Sequence, residues 1–343
     1  MQIEEALAGY PRERLTRQPT PLQYLPHLSR QLGVKVYIKR DDLTDLALGG
    51  DKPRKLEYEL AQARAAGADT LVTCGSSQSN HARLTTAAAR KAGLDIAVVI
   101  SRDEYLAVQG NLLTVYLMGA RVEVVDTADH WDLEQQALAL CRQLETEGRR
   151  PHYIPVSGTT PHSCLGYVRA GLEIVEQLAE GDIQLDAVYT PFGTGGIFTA
   201  MLLALREKGL GCPVIGISVN RDQEQCQVYL ERWWAALCQL LDQDPHRGWE
   251  PIEIYDQFIG REYGDPTEAA LDAILLMAQT EGILLDPVYS GKMMAGFLAH
   301  CSEKRWTKEQ SVLLLHSGGV PALFAYQAHI EAHLRKQGLI GPA

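Results

Sequence analysis

The chain has 343 residues, of which 46% are hydrophobic and 22% charged, a composition typical of a globular protein long enough for two lobes around one cleft. Its formal net charge of −11 argues against a nucleic-acid partner and favours a small-molecule ligand. No run approaches the roughly 18 apolar residues of a membrane span, and the seven cysteines show no paired or zinc-ligand spacing. We therefore expect a soluble, cytoplasmic protein with reduced thiols, no membrane partner and no bound metal.

Short β-rich runs alternate with Ala- and Leu-rich helical segments along the chain. The strand candidates, in chain order, are VKVYIKRDD, TLVTCG, DIAVVIS, RVEVVD, AVYTPFG, PVIGISVN and SVLLLHSGG. This alternation predicts an α/β fold with two mainly parallel sheets. The segment 221–262 contains Trp233 and Trp234 and is interpreted as an irregular helical insertion whose aromatic residues serve packing.

The first motif with chemical potential is GGDKPRKLE, in which Gly49 and Gly50 precede Lys52 at the start of a predicted helix. Arg54 and Lys55 follow after Pro53, and neighbouring cations favour the uncharged, nucleophilic form of a lysine amine. Such an amine could form a Schiff base with a carbonyl compound. A solvated basic helix start is the structural alternative.

A second motif, CGSSQSNHAR, follows a predicted strand that ends at Gly75. A helix is expected to begin near Ser79, Asn80 and His81. Ser and Asn are preferred N-cap residues, so a purely structural role is sufficient for them. Alternatively, this helix N-terminus binds the carboxylate of a substrate through N–H and hydroxyl groups.

A third motif, TPFGTGGIF, places a glycine-rich loop between a strand and a helix, where backbone N–H groups can bind a phosphate. The loop has neither the P-loop spacing nor the GxGxxG dinucleotide fingerprint, so a different phosphorylated cofactor is favoured over a nicotinamide. A simple tight turn remains the alternative.

Two C-terminal motifs, DPVYSGK and HSGG, place Tyr289, Ser290 and Ser317 at turn and strand ends. In open α/β sheets the carboxyl ends of the strands border the ligand crevice, so all these motifs could converge there. A packed tyrosine and turn serines are the ordinary structural explanation.

Taken together and in order, these motifs resemble the D-cysteine desulfhydrase and aminocyclopropane-carboxylate deaminase family of pyridoxal-phosphate enzymes. The resemblance also includes LTRQPTPLQYLPHLS, VYIKRDDLT and GNLL, and it spans nearly the whole chain. It implies a two-domain tryptophan-synthase-β-like fold, with a small domain of residues 51–166 inserted into a large cofactor domain formed by residues 1–50 and 167–343. It also implies a homodimer.

The same resemblance implies pyridoxal 5'-phosphate as the cofactor, with Lys52 as its Schiff-base lysine. Lys55 and the glycine loop would hold the phosphate, Asn80 would bond the ring hydroxyl, and Ser317 would lie beside the pyridine nitrogen. The expected site residues are, for catalysis, Lys52, Ser79 and Tyr289; for the cofactor, Lys52, Lys55, Asn80, Gly193, Thr194, Gly195, Gly196 and Ser317; and for the substrate, Ser79, Asn80, His81, Tyr289 and Ser290.

Three departures from the family pattern bear on the activity. Asp51 precedes the lysine where the family usually has Asn, and its charge either perturbs Lys52 or turns outward. Ser290 follows the tyrosine where the deaminase branch has glutamate, which disfavours cyclopropane ring opening. The stretch around Tyr263 matches the family only loosely, so the pocket rim could differ.

The favoured function is a pyridoxal-phosphate-dependent β-elimination from a small sulfur-containing amino acid, with D-cysteine yielding pyruvate, ammonia and hydrogen sulfide. The same-fold alternatives are an L-cysteate sulfo-lyase, an aminocyclopropane-carboxylate deaminase, and an amino-acid synthase, racemase or dehydratase. The alternative of another class is a non-catalytic scaffold that binds pyridoxal phosphate.

Overall fold

The computed structural model describes residues 2–103, 105–127, 129–246 and 248–341. Within them the strands are β1 (Leu22–Tyr24), β2 (Lys35–Arg40), β3 (Thr70–Ser76), β4 (Asp95–Ser101), β5 (Arg121–Val125), β6 (Pro151–Tyr153), β7 (Ala187–Phe192), β8 (Val214–Ser218), β9 (Ile252–Tyr255) and β10 (Ser311–His316). The α-helices are α1 (Ile3–Ala8), α2 (Pro26–Leu32), α3 (Lys52–Ala65), α4 (Asn80–Lys91), α5 (Gly110–Leu117), α6 (His130–Thr146), α7 (Pro161–Glu180), α8 (Gly196–Glu207), α9 (Gln223–Leu240), α10 (Glu268–Glu281), α11 (Ser290–Ser302) and α12 (Gln327–Lys336). Short 3-10 segments lie at Asp41–Leu43, Val156–Gly158 and Val320–Phe324.

The strands form two open sheets, which confirms the predicted α/β architecture. The larger sheet has the order β1-β2-β10-β7-β8-β9 and the smaller one the order β5-β4-β3-β6. The pairing of β1 with β2 is antiparallel, and the other described pairings are parallel. Parallel strands need crossover connections, and helices supply them here.

Both faces of the large sheet are buried, which explains why its strands are almost continuously apolar. On β10, Leu313 and Leu315 pack with α7, α8 and α9, whereas Val312 and Leu314 pack with α2, α10 and α11. The small sheet is covered in the same way, since its alternate residues belong to two separate clusters. The edges and strand ends are therefore the parts of each sheet left to carry function.

The two sheets are formed by different parts of the chain. The strands of the small sheet lie between Thr70 and Tyr153, and those of the large sheet lie before or after that interval. Helices α3 and α7 connect the sheets and pack against each other. The boundaries at residues 51 and 166 stay a prediction.

A buried ionic network lies where α3 and α7 meet β2. Arg54 donates to Asp41 and to Glu173 with four contacts of 2.9 Å. Lys39 Nζ also donates to Glu173 over 2.5 Å, and the Tyr167 hydroxyl donates to Asp41 over 2.6 Å. This cluster, the Arg54 network, ties both connecting helices to the large sheet.

The seven predicted strands are confirmed, but three short ones, β1, β6 and β9, were not predicted. The interpretation of segment 221–262 as irregular was wrong in part, because it contains the 18-residue helix α9 and strand β9. Cys226, Leu230, Trp233 and Leu237 recur at helical spacing and are buried. None of the helices in the described part of the chain is long and apolar enough to cross a membrane.

Candidate active site

A cavity of about 600 Å³ opens where β3, β7, β8 and β10 end. Ligand crevices of open parallel sheets lie at this position. The predicted site residues that line it are Lys52, Lys55, Ser79, Asn80, His81, Gly193, Thr194, Gly195, Tyr289 and Ser317. Gly196 and Ser290 are not among its lining residues. The fold therefore brings together ten of the twelve positions that the motifs indicated.

Two glycine turns cross where Lys52 enters the cavity. A Cβ added to Gly318 would lie 2.5 Å from the Cα of Gly50, so only glycines allow this approach. The Asp51 N–H donates to the Ser317 carbonyl over 2.9 Å, which links the two turns. Lys52 Nζ lies 2.6 Å from Asp51 Oδ2, and the Lys52 side chain is 13% exposed. Asp51 therefore faces the lysine and does not turn outward to solvent.

Lys55 lies one turn further along α3 and also lines the cavity. Its Nζ donates to Thr159 Oγ1 over 2.7 Å and to the Ser157 carbonyl over 3.0 Å. Thr159 Oγ1 in turn lies 2.7 Å from Thr194 Oγ1. Burial, followed by the charge of Lys52, lowers the pKa of Lys55 to about 8. An anion bound beside Lys55 would stabilise the ammonium form of this lysine.

The glycine loop connects β7 to α8 and leaves no room for a side chain at Gly195 or Gly196. Gly195 has φ of 78° and its added Cβ would lie 2.9 Å from the Phe192 ring; that of Gly196 would lie 2.5 Å from Thr159 Cγ2. No side chain caps the N-terminus of α8, so its first N–H groups are available to a ligand. Trp233 Nε1 donates to the Thr194 carbonyl over 2.7 Å and anchors the loop.

Helix α4 begins as its sequence indicates. Ser79 is the N-cap, and its Oγ accepts the Ala82 N–H over 3.0 Å. Gly75 makes room for this serine, because a Cβ there would lie 2.7 Å from Ser79 Oγ. The Ser79 hydroxyl hydrogen is not used by the cap, so the same residue can donate to a carboxylate in the cavity that it lines.

His81 borders the cavity as an uncharged ring. The Thr73 hydroxyl donates its hydrogen to the Ile154 carbonyl. It can therefore only accept from His81 Nε2, which lies 2.8 Å from Thr73 Oγ1, so Nε2 is assigned the hydrogen. Nδ1 then accepts from Thr85 Oγ1 at 3.3 Å. Burial, followed by the charges of Lys52 and Lys55, holds the pKa of His81 well below its usual value. A neutral ring with both nitrogens engaged is poorly suited to bind a carboxylate, contrary to the expected role.

Tyr289 is positioned by the buried carboxylate of Asp286, three residues before it. Asp286 accepts the N–H groups of Val288, Tyr289 and Ser290 over 2.7–2.9 Å. The Ser290 hydroxyl also donates to Asp286 over 2.6 Å, and Ser290 is fully buried. Ser290 thus shapes the turn beneath the site, and its hydroxyl does not face the cavity as a substrate-binding group would.

Tyr263 is a site residue that the motifs did not single out. Its hydroxyl lies 2.5 Å from that of Tyr289, and both side chains line the cavity. Burial, and after it the electrostatic effect of Tyr263, raises the pKa of Tyr289 well above its usual value. Desolvation of the hydroxyl also raises the pKa of Tyr263, although 39% of the residue's surface is exposed. Both hydroxyls therefore stay protonated and can donate. The only sequence signal was the loose family match around Tyr263.

The chemistry of these groups fits pyridoxal phosphate. The uncapped α8 terminus and Lys55 suit its phosphate, and Lys52 offers an amine to its aldehyde. Asn80 and Ser317 line the cavity with an amide and a hydroxyl, groups that could bond the ring hydroxyl and the ring nitrogen. The described residues contain no group of three or more His, Cys, Asp or Glu side chains able to hold a metal ion.

Comparisons with known proteins agree with this chemistry. Residues 14–318 match the family model described as "Pyridoxal-phosphate dependent enzyme". The chain is 38% identical over 335 residues to D-cysteine desulfhydrase of Serratia proteamaculans (strain 568), covering 96% of this chain and 100% of the relative. It is 39% identical over 333 residues to D-cysteine desulfhydrase of Klebsiella pneumoniae (strain 342), covering 94% and 98%.

Solved structures show the same fold. A crystal structure of an ACC deaminase homologue matches with a TM-score of 0.89 and 36% identity, covering 97% of this chain and 99% of the other. A fungal L-serine ammonia-lyase from Rhizomucor miehei matches with a TM-score of 0.67 and 19% identity over 92% of this chain and 98% of the other, a likeness of fold alone. The architecture of this chain is thus tryptophan-synthase-β-like, as predicted. On its matched length and shared identity, the chain belongs to the family of pyridoxal-phosphate-dependent enzymes.

Proposed function

We propose that this chain is a carbon–sulfur lyase that converts D-cysteine to pyruvate, ammonia and hydrogen sulfide. The observation that carries the proposal is the 38% identity over nearly the full length to D-cysteine desulfhydrases. It is supported by a cavity in which a lysine amine and a paired tyrosine hydroxyl face the same space. These are the base and acid that an α,β-elimination requires.

The site residues divide the work as follows. Lys52 would hold the cofactor through its amine, Lys55 and the glycine loop its phosphate, Asn80 its ring hydroxyl, and Ser317 its pyridine nitrogen. When bound, pyridoxal phosphate supplies an electron sink for bond breaking at the substrate's α-carbon. Ser79 and the N-terminus of α4 would hold the substrate carboxylate and so fix the direction of the α-hydrogen.

Two proton transfers complete the elimination. The Lys52 amine would take the α-proton of the bound substrate, and the electron pair of that C–H bond would form the new Cα–Cβ double bond while the Cβ–S bond breaks. Tyr289, supported by Tyr263, donates a proton to the departing sulfur. Water then hydrolyses the unsaturated amine to pyruvate and ammonia. The raised pKa of Tyr289 keeps it protonated before that step.

The deaminase is the second candidate because an ACC deaminase homologue shares the fold at 36% identity. Ring opening of a cyclopropane has no departing sulfur and demands a further acid or base in the cavity. The residue after Tyr289 is a serine, and its hydroxyl is bonded to Asp286 beneath the site. This arrangement supports elimination of a thiol instead.

The test is an absorption spectrum and a keto-acid assay on the wild type, Lys52→Ala and the control Lys35→Ala, whose lysine lies on β2 outside the cavity. We expect a visible cofactor band that Lys52→Ala loses and Lys35→Ala keeps. Pyruvate and sulfide should form from D-cysteine faster than from L-cysteine or L-cysteate, with no oxobutyrate from aminocyclopropane-carboxylate. Oxobutyrate as the main product would favour the deaminase, and a cofactor band without any keto acid would indicate a synthase, a racemase or a non-catalytic scaffold.

We also propose a cytoplasmic homodimer with a small domain of residues 51–166. Exposed apolar side chains lie on α5 and on the adjoining 3-10 segment Val320–Phe324, and they support a subunit interface: Leu113, Tyr116, Leu117 and Phe324. The seven cysteines are free thiols, a state typical of reducing compartments. Sedimentation of the wild type and Leu117→Glu should show a dimer that the charge weakens.

A further inference from the structure

The segment that leads into Lys52 has an unusual backbone. Ala47, Leu48, Gly49 and Gly50 have φ values of 39°, 69°, 69° and 135°, so four successive residues lie where L residues rarely do. We refer to them as the 47–50 turn. Leu48 is 67% exposed, so packing of its side chain does not compensate for the strain. Contacts from outside the turn must hold it.

Arg83, on α4, supplies such contacts. Its Nη1 donates to the Ala47 carbonyl, and its Nη2 donates to the Gly49 carbonyl over 3.1 Å. The Arg83 side chain is fully buried, and no carboxylate in the described parts of the chain forms an ion pair with it. Burial lowers the pKa of Arg83 to about 10, with the charge of Asp51 acting in the opposite direction. A buried guanidinium whose acceptors are carbonyls and amides is costly, so its presence at this position points to a geometric task.

The same guanidinium also orients Asn80. Arg83 Nε donates to Asn111 Oδ1 over 2.6 Å, and Asn111 Nδ2 donates to Asn80 Oδ1 over 2.9 Å. Arg83 Nη2 reaches that oxygen as well, at 3.5 Å. Because its oxygen is occupied by these donors, Asn80 has its Nδ2 hydrogens left for a ligand in the cavity that it lines.

We propose that Arg83 is a positioning residue for the cofactor: it holds the 47–50 turn in the conformation that delivers Lys52, and with Asn111 it turns the Asn80 amide so that Nδ2 donates to the ring hydroxyl. Arg83 does not line the cavity, so it acts through these neighbours. The proposal rests on the proposed roles of Lys52 and Asn80. It joins the N-terminus of α4 to that of α3 through one buried side chain.

Arg206 is a matched control for a purely structural arginine. It also donates to three backbone carbonyls, those of Trp249 over 3.0 Å, Leu210 over 2.6 Å and Pro251 over 2.8 Å. Burial lowers its pKa too. None of these four residues lines the cavity. Its loss should therefore affect folding without affecting the cofactor.

The experiment titrates the apoproteins of the wild type, Arg83→Met, Arg83→Lys and Arg206→Met with pyridoxal 5'-phosphate. The readouts are the dissociation constant, the circular dichroism of the visible cofactor band and urea unfolding. We expect Arg83→Met to bind up to about 100-fold more weakly and to alter the dichroism, because a buried hydrogen-bonding group left without its partner weakens binding by about that factor. Arg83→Lys, which can reach one carbonyl, should recover part of both signals. Arg206→Met should unfold at lower urea and bind as the wild type does.

Wild-type affinity and dichroism in Arg83→Met, with lower stability alone, would overturn the proposal. If Arg83→Met does not fold, Arg83→Lys and Asn111→Asp decide. Asn111→Asp keeps an acceptor for Arg83 but removes the donor to Asn80, so wild-type binding and dichroism in both variants would also overturn it. If the wild-type protein with pyridoxal 5'-phosphate shows no visible band that Lys52→Ala loses, the proposed role of Lys52 fails. That outcome is distinct from a failure of the Arg83 proposal, in which the band depends on Lys52 but not on Arg83.

Discussion

Gly166 determines how closely the helix that carries Lys52 approaches its neighbour. It lies on α7, and a Cβ at this position would be 2.1 Å from the Arg54 carbonyl oxygen, 2.4 Å from the Arg54 carbonyl carbon and 3.0 Å from the Lys55 nitrogen. These are backbone atoms of the first turn of α3, and they cannot rotate away. Ordinary contact distances of about 3.5 Å require α3 and α7 to separate by about 1–1.5 Å in Gly166→Ala.

The expected sign of this substitution opposes that of helix propensity. Alanine stabilises a helix interior by about 1 kcal/mol relative to glycine, whereas overpacking costs about 1–3 kcal/mol or more. We expect a net loss in the free energy of unfolding of about 1–2 kcal/mol. A displacement of Lys52 and Lys55 by about 1 Å should also reduce kcat/KM by about 100-fold, which corresponds to about 2.7 kcal/mol.

Urea unfolding, cofactor titration and steady-state kinetics measure these effects. Gly181→Ala is the control, because it lies at the end of the same helix and its nearest neighbour is the rotatable tip of Ile183, 2.8 Å from the added Cβ. It should change stability and activity little. A Gly166→Ala protein that is more stable than the wild type and fully active would refute the reasoning, since α3 would then tolerate the displacement.

Burial lowers the pKa of Lys55 to about 8, so the ammonium form of Lys55 is lost as the pH rises through that value. The affinity for pyridoxine 5'-phosphate, which has no aldehyde, should therefore fall between about pH 7 and 9.5 when it is measured by calorimetry. In Lys55→Arg, whose guanidinium stays charged, the affinity should change little over this range. An affinity that rises over this range would contradict the role of Lys55. Tyr263→Phe removes the 2.5 Å contact with Tyr289 and should lower kcat by about 100-fold at unchanged melting temperature. An unaltered kcat would contradict the supporting role of Tyr263. Arg54→Met leaves the carboxylates of the Arg54 network buried without their main cation and should lower the free energy of unfolding by about 3–5 kcal/mol in urea. Arg64→Met is the control, because it breaks only the partly exposed ion pair with Glu13 and should lower the free energy of unfolding by less than about 1 kcal/mol.

The amino-acid sequence by itself determined the elements that depend on local signals. Glycines mark the loop before α8, Ser79 caps α4, and apolar runs define the seven longer strands, because φ preferences, caps and burial on both sheet faces act within a few residues. The three short strands escaped prediction because each has only three or four residues, and β6 and β9 also pair with strands distant in sequence. A helical period in α9 was present but was obscured by its polar flanks.

Only the tertiary structure decided which side chains meet. Tyr263 and Tyr289 lie 26 residues apart and share a 2.5 Å contact, and Ser290 turns away from the cavity because Asp286 holds it. The contacts of Arg83 with the 47–50 turn, and of Gly166 with the backbone of α3, likewise join segments distant in sequence. Such meetings follow from how crossover helices pack on two sheets, and no local pattern encodes that packing.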